Sequence, residues 1–228
     1  MFSSGDAALP AAGMQAIPRQ LRDGLPDGAV RTDARVEKAA PDRVRLESGE
    51  ELAARRVVVA TDGMEAARLC AEVDEPDWNG TTCLYFDAPA PPVAEPVLVL
   101  DGDGRGPVNN LCVPSQVTPS YAPAGRSLVS ANVVGDSAMD DAALESAVRA
   151  QLRSWFGRQV DAWRHLRTYR IPLARPAQNP PTEPPDRVSS RLDGGLFVCG
   201  DHRDTGSIQG AMHAGRRAAA QLLAELGR

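Results

Sequence analysis

The chain has 228 residues, 43% of them hydrophobic, enough for one large or two small domains with a true core. Its 25 Lys and Arg against 30 Asp and Glu leave a net charge of −5 with no basic block, which argues against nucleic acid as a partner. No apolar run approaches the roughly 18 residues that a bilayer span needs, and Met1-Phe2-Ser3-Ser4-Gly5-Asp6 lacks the regions of a signal peptide, so the expected setting is cytoplasmic.

In chain order, residues 1–12 read as a lead-in loop. A helix opens in Gly13-Met14-Gln15-Ala16-Ile17-Pro18, with Met14, Ile17 and Leu21 on one face and Gly24 as its stop. Pro18 is tolerable only near the first turn. Residues 29–36 alternate as a strand. Arg43–Glu47 and Glu51–Ala53 flank Ser48-Gly49-Glu50 as a hairpin. Arg56-Val57-Val58-Val59-Ala60 is continuous in apolar residues after its first position, as a buried parallel strand is. Asp62 and Glu65 make a capping box for a helix over 63–71.

Residues 75–185 change character. Short strands at 81–87, 96–101, 109–114 and 127–134, separated by Pro, Gly and Asp turns, predict an antiparallel sheet. Gly102-Asp103-Gly104-Arg105-Gly106 carries the first two glycines of a dinucleotide motif, but Pro107 stands where the third belongs, so it reads as a hairpin turn. A helix at 141–156 places Leu144, Val148, Leu152 and Phe156 on one face and sets Glu145 to pair with Arg149. A strand at 163–171 and a Pro-rich loop at 175–186 follow.

The chain ends on its most informative stretch. Gly194-Gly195-Leu196-Phe197-Val198-Cys199 is a short strand that stops at Gly200-Asp201. A polar loop then leads into a long helix with Ile208, Ala211, Met212, Ala218, Leu222 and Leu226 at helical spacing, closed by Gly227. In open α/β sheets, ligands sit at the carboxyl ends of strands and against helix N-termini. Gly200 allows close approach to the backbone. Asp201 offers acceptor oxygens to hydroxyl groups such as those of a sugar or ribityl chain. Gly206 and Ser207 begin the helix. The bland alternative is a core strand followed by a capped core helix.

Cys70, Cys83, Cys112 and Cys199 fit no zinc or redox spacing and read as buried free thiols. His165, His202 and His213 show no metal spacing, so no metal is expected. The sequence contains neither G-x-S-x-G nor H-E-x-x-H, which leaves a hydrolase without support.

The run GDHRDTGSIQGAMHAGRRAA, Gly200 to Ala219, resembles the C-terminal flavin-binding motif of FAD-dependent amine oxidases and phytoene-desaturase-like flavoproteins. The resemblance implies that Gly200 and Asp201 contact the ribityl or phosphate part of FAD, and that Gly206, Ser207, Ile208 and Ala211 at the helix start face the flavin ring. It also implies that Val36 contacts the adenine through its backbone, with Ala60 and Thr61 near the same end of FAD. Leu9 to Pro18 resembles the family's entry into the second half of the FAD domain. No catalytic acid or base is implied. His202 and His213 are candidates only through their nearness to the motif.

The family's G-x-G-x-x-G βαβ unit, which holds the FAD pyrophosphate, has no counterpart in these 228 residues. The expected fold is therefore α/β, or α+β overall. It comprises a partial Rossmann-like FAD domain from 1–74 and 186–228, with an antiparallel substrate-domain-like sheet and helix, 75–185, inserted. The expected function is the C-terminal portion of a flavin oxidoreductase acting on a small-molecule amine or a C–C bond to be desaturated. An upstream-encoded polypeptide carrying G-x-G-x-x-G is the implied partner. The alternative is a truncated, inactive or partner-dependent binding module.

Overall fold

A computed structural model of the chain describes residues 8–180 and 184–227. The first residues of the expected lead-in loop and part of the Pro-rich loop, 1–7 and 181–183, lie outside the described residues. In chain order the elements are α1 (Ala16–Asp23), β1 (Val36–Ala40), β2 (Arg43–Leu46), β3 (Glu51–Ala53), β4 (Val58–Val59), α2 (Gly63–Leu69), β5 (Trp78–Ala88) and β6 (Val99–Leu100). They continue as β7 (Asn110–Cys112), α3 (Pro114–Val117), β8 (Ser127–Val134), α4 (Asp141–Phe156), β9 (Arg164–Pro176), β10 (Phe197–Val198) and α5 (Ile208–Glu225). Two compact units result. One is the chain up to Val30 with Gly80–Pro172, and the other is Arg31–Asn79 with the chain from Leu173 onward.

The first unit is built on a five-stranded sheet of order β6-β7-β8-β5-β9. Alternation decides its faces. Thr82, Leu84, Phe86 and Ala88 of β5 are buried, and Leu84 and Phe86 lie opposite Ala131 and Val129 of β8. Leu144, Val148 and Leu152 of α4 complete this core with Val160 and Trp163. Asp140 caps α4 by accepting the Ala143 N–H at 2.8 Å, and Glu145 takes Arg149 at 2.8 Å. The glycine-rich stretch 102–106 is a turn, since β6 and β7 pair antiparallel around it. A side chain at Gly106 would strike Gln151 of α4. Gln151 is buried, accepts the Val108 N–H at 2.7 Å and returns a hydrogen bond to the Val108 carbonyl at 3.0 Å. Gly106 is thus required by packing. Residues 9–11 belong here too, because Thr118, Ser120 and Tyr121 donate to the Leu9, Ala11 and Pro10 carbonyls.

The second unit joins an antiparallel meander, β1-β2-β3, to a parallel pair, β4 and β10, in which Phe197 faces Val58 and Val198 faces Val59. Val57, Val59, Ala66, Cys70, Leu192 and Val198 form its main core. Asp62 caps α2 by accepting the Glu65 N–H at 3.0 Å. The Glu72 carboxylate holds the turn before β10 through the Asp193 and Gly194 N–H groups, at 2.7 and 3.0 Å.

Several expected elements shift. Residues 29–35 are not strand; Asp33 takes a left-handed φ of 55°, Arg31 pairs with Glu50 at 2.6 Å, and β1 starts only at Val36. The strand at 56–60 shortens to two paired residues, and Val58 is 38% exposed. The strand at 96–101 shortens to Val99–Leu100. β9 runs past Ile171 to Pro176. As an edge strand it tolerates prolines that lack a donor. The helix over 13–24 narrows to α1, none of whose residues is buried. Cys70 and Cys199 are buried free thiols as expected, whereas Cys83 and Cys112 are only half-buried.

Replacing Gln151 with Ala would leave both backbone groups of Val108 buried without their partner. Loss of the hydrogen bonds and packing should lower unfolding free energy by about 2 kcal/mol. Urea titration of Gln151→Ala against the parent measures it, and an unchanged midpoint would contradict this role.

Candidate functional site

The parallel pairing sets the site. The Phe197 and Cys199 N–H groups donate to the Val57 and Val59 carbonyls, at 3.1 and 3.0 Å. The chain therefore leaves both strands side by side, as Ala60-Thr61 and as Gly200-Asp201. Gly200 has a φ of 155°, and a Cβ there would lie 2.9 Å from the Thr61 carbonyl and strike the His202 ring. The space opened by this glycine is filled by the protein itself. The Asp201 carboxylate has no hydrogen-bond partner among the described residues.

Beside these strand ends lies an apolar cleft of 340 Å³. Val36, Ala39, Val44, Val57, Ala60 and Thr61 line it, and Glu65 and Arg68 of α2 form part of its wall. Arg68 is anchored on three sides. Its Nε donates to Glu65 at 2.6 Å, and its terminal nitrogens donate to the Glu37 and Val36 carbonyls at 3.1 and 2.7 Å. Arg35 bridges Glu47 and Glu65.

The loop between Asp201 and α5 is fixed by a buried ion pair. Asp204, its side chain 6% exposed, pairs with Arg217 of α5 and accepts the Thr205 N–H at 2.8 Å. Arg217 also donates to the Arg203 carbonyl at 2.9 Å. Gln178 donates to the Asp204 carbonyl and accepts the Gly206 N–H at 3.1 Å. Burial works to raise the Asp204 pKa, but Arg217 and the Thr205 N–H outweigh it and hold the carboxyl below its usual range. Ser207 caps α5 through the Gly210 N–H at 3.0 Å. A Cβ at Gly210 would collide with the Thr205 carbonyl, so this glycine lets the loop fold against the first turn of the helix.

The expected site residues thus fall into three places. Val36, Ala60 and Thr61 share the apolar cleft; Gly200 and Asp201 adjoin Thr61; Gly206, Ser207, Ile208 and Ala211 occupy the loop and first turn of α5, outside the cleft lining. His202 lines a second, polar cleft of 360 Å³ with Gln178, Asn179 and Ser189. Its two ring nitrogens are buried and unpartnered, and burial lowers its pKa toward the neutral form, against the pull of Asp201. His213 is exposed. Among the described residues no cluster of His, Cys, Asp or Glu could hold a metal ion. Arg68 and the Asp204–Arg217 pair escape a reading of the sequence. The Glu65–Arg68 spacing signals a helical ion pair, but nothing in the spacing reveals that it turns inward onto Val36.

This donor set fits a flavin dinucleotide. An apolar cleft of 340 Å³ lies at the end of β4, and the buried His202 imidazole lacks partners that a hydroxylated chain could supply. Strand ends and a capped helix start arranged in this way are where ligands sit in open α/β sheets.

Comparison with known proteins narrows the class. The family model described as "Flavin containing amine oxidoreductase" matches residues 1–223, so the chain belongs to that family. A putative protoporphyrinogen oxidase from Exiguobacterium sp. 255-15 has a similar fold, with a TM-score of 0.74 at 14% identity over 96% of this chain and 52% of that one. Cyclohexylamine oxidase from Brevibacterium oxydans IH-35A gives a TM-score of 0.68 at 16% identity, over 95% of this chain and 53% of that one. Reduced UDP-galactopyranose mutase gives 0.63 at 14% identity, over 84% of this chain and 46% of that one. At these identities the likeness is one of fold, and the chain spans about half the length of these solved chains. No curated protein sequence matches the chain.

Asp204→Asn should destabilise the protein by about 2 kcal/mol at pH 7, as breaking one side of a buried charge pair does. A depressed carboxyl pKa stabilises the fold above the unfolded value, near 3.9, and that contribution is lost as pH falls through the lower folded value. Urea unfolding of both proteins should therefore show a gap that is full above about pH 5 and narrows in more acid solution. A gap independent of pH would contradict the ionised pair.

Proposed function

We propose that the chain is the C-terminal, FAD-contacting portion of a flavin-dependent oxidoreductase acting on a small-molecule amine or on a C–C bond to be desaturated, in a cytoplasmic setting. The observation that carries the reading is that Thr61, which lines the apolar cleft with Val36 and Ala60, lies against Gly200, the residue before Asp201.

In this reading Val36, Ala60 and Thr61 hold the adenine end. A carbonyl has two lone pairs, so Val36 can accept a second hydrogen bond beside that of Arg68. Asp201 accepts from ribityl hydroxyls, and the His202 nitrogens are within the same stretch to satisfy others. Gly206, Ser207, Ile208 and Ala211 present the α5 start toward the ring system. A bound flavin supplies the capacity to accept a hydride, and the protein supplies position and exclusion of water. No residue is assigned as acid or base.

A second reading has its own observation. The parallel sheet has two strands among the described residues, Val58 is 38% exposed, and the chain covers about half of the solved chains. The protein is then a binding module, inactive alone, that completes its site with a polypeptide carrying G-x-G-x-x-G. Helix N–H groups from such a segment would meet the pyrophosphate charge.

The spectrum of the purified protein, taken after incubation with FAD and desalting, separates the readings. Flavin bands that stay with the chain support the first. Bands retained only when a G-x-G-x-x-G polypeptide is supplied support the second. In whichever form retains flavin, Asp201→Ala should weaken FAD binding about tenfold, the worth of hydrogen bonds to a charged acceptor. Failure to retain FAD under either condition would refute both.

A further inference from the structure

The apolar cleft has one wall that is neither apolar nor backbone. Arg68 lies there with its guanidinium tethered around its rim. Nε is held by Glu65, one terminal nitrogen by the Glu37 carbonyl and the other by the Val36 carbonyl. Hydrogen bonds to a guanidinium lie near its plane, so these three leave the faces of the plate unused. The side chain nevertheless remains 39% exposed. A planar cation fixed at its edges, lining the same slot as Val44, Val57 and Ala39, is a surface for stacking a flat π system. Its freedom is already restricted before any ligand arrives, which lowers the entropic cost of binding.

We propose that Arg68 is the stacking platform for a purine base in this cleft, and so a residue that sets which nucleotides the protein takes. The inference rests on reading the cleft as the adenine end of the cofactor site. The platform favours extended, electron-rich bicyclic rings. The Val36 carbonyl, held by Arg68 at 2.7 Å, lies at the edge of the same plate. Stacking and edge recognition of the base are thereby coupled through one side chain.

The full chain is titrated with adenosine and AMP, which reach this cleft without needing the rest of the site, and with ribose 5-phosphate, which lacks the base. In 15N-resolved NMR, the Arg68 Nε–H resonance should shift on adding adenosine or AMP and stay in place with ribose 5-phosphate. Arg68→Leu and Arg68→Lys should both weaken AMP binding about tenfold by equilibrium dialysis, since stacking needs the plane and not only the charge. Full rescue by Lys would replace the platform with a simple charge effect and overturn the proposal. AMP binding by the parent with a stationary Arg68 resonance and unchanged variants would overturn the Arg68 role and leave the cleft's assignment standing. No binding of adenosine or AMP by the parent would overturn the assignment itself, and the Arg68 role with it. The NMR arm uses the unaltered protein, so it decides the question even if a variant fails to fold.

Discussion

The pairing of β4 with β10 is the constraint from which the site follows. Two segments far apart in sequence enter one parallel ladder, Val58 beside Phe197 and Val59 beside Val198. Parallel strands end on the same side, so Ala60-Thr61 and Gly200-Asp201 must emerge together. Gly200 makes the approach possible at its closest point, because any side chain there would press on the Thr61 carbonyl and the His202 ring. Shifting that register by one residue would turn Val59 and Val198 away from the core and separate the two strand ends.

Charge then fixes what the strands bring near. Asp204 and Arg217 tie the loop after β10 to the middle of α5, and Gln178 closes the same loop from outside. At the far end of that helix Glu225 receives both Arg56 and Arg191, at 2.6 and 2.8 Å. The loop, helix and strand that carry the motif thus form a single hydrogen-bonded assembly. Most of its polar groups are committed to one another. Among the polar groups without a hydrogen-bond partner in this assembly are the two buried His202 ring nitrogens and Arg217 Nε.

Elements with strong local signals were legible in the sequence. The helix at 141–156 and the strand at 127–134 match the structure at both ends, because capping, alternation and turn residues all agree there. The Asp62 capping box and the turn at 102–106 were legible for the same reason. The two-residue strands were not, since β4 is defined by pairing with β10 and no local pattern marks where that pairing stops. The break at Asp33 was hidden because no local pattern marks the left-handed backbone it takes there. The Gly200–Ala219 run pointed to the family, whose match extends over residues 1–223. The inward turn of Arg68 depends on the carbonyls of β1 and could be seen only once the fold was in hand.

Hydrogen exchange measured with and without saturating FAD tests the central claim most directly, that the strand ends after β4 and β10 and the start of α5 form one ligand site. The account predicts slower amide exchange at residues 34–36, 58–61 and 200–211, with α4 unchanged as the internal reference. Exchange that is unaltered throughout, or slowed only on β5 and β8, would contradict it.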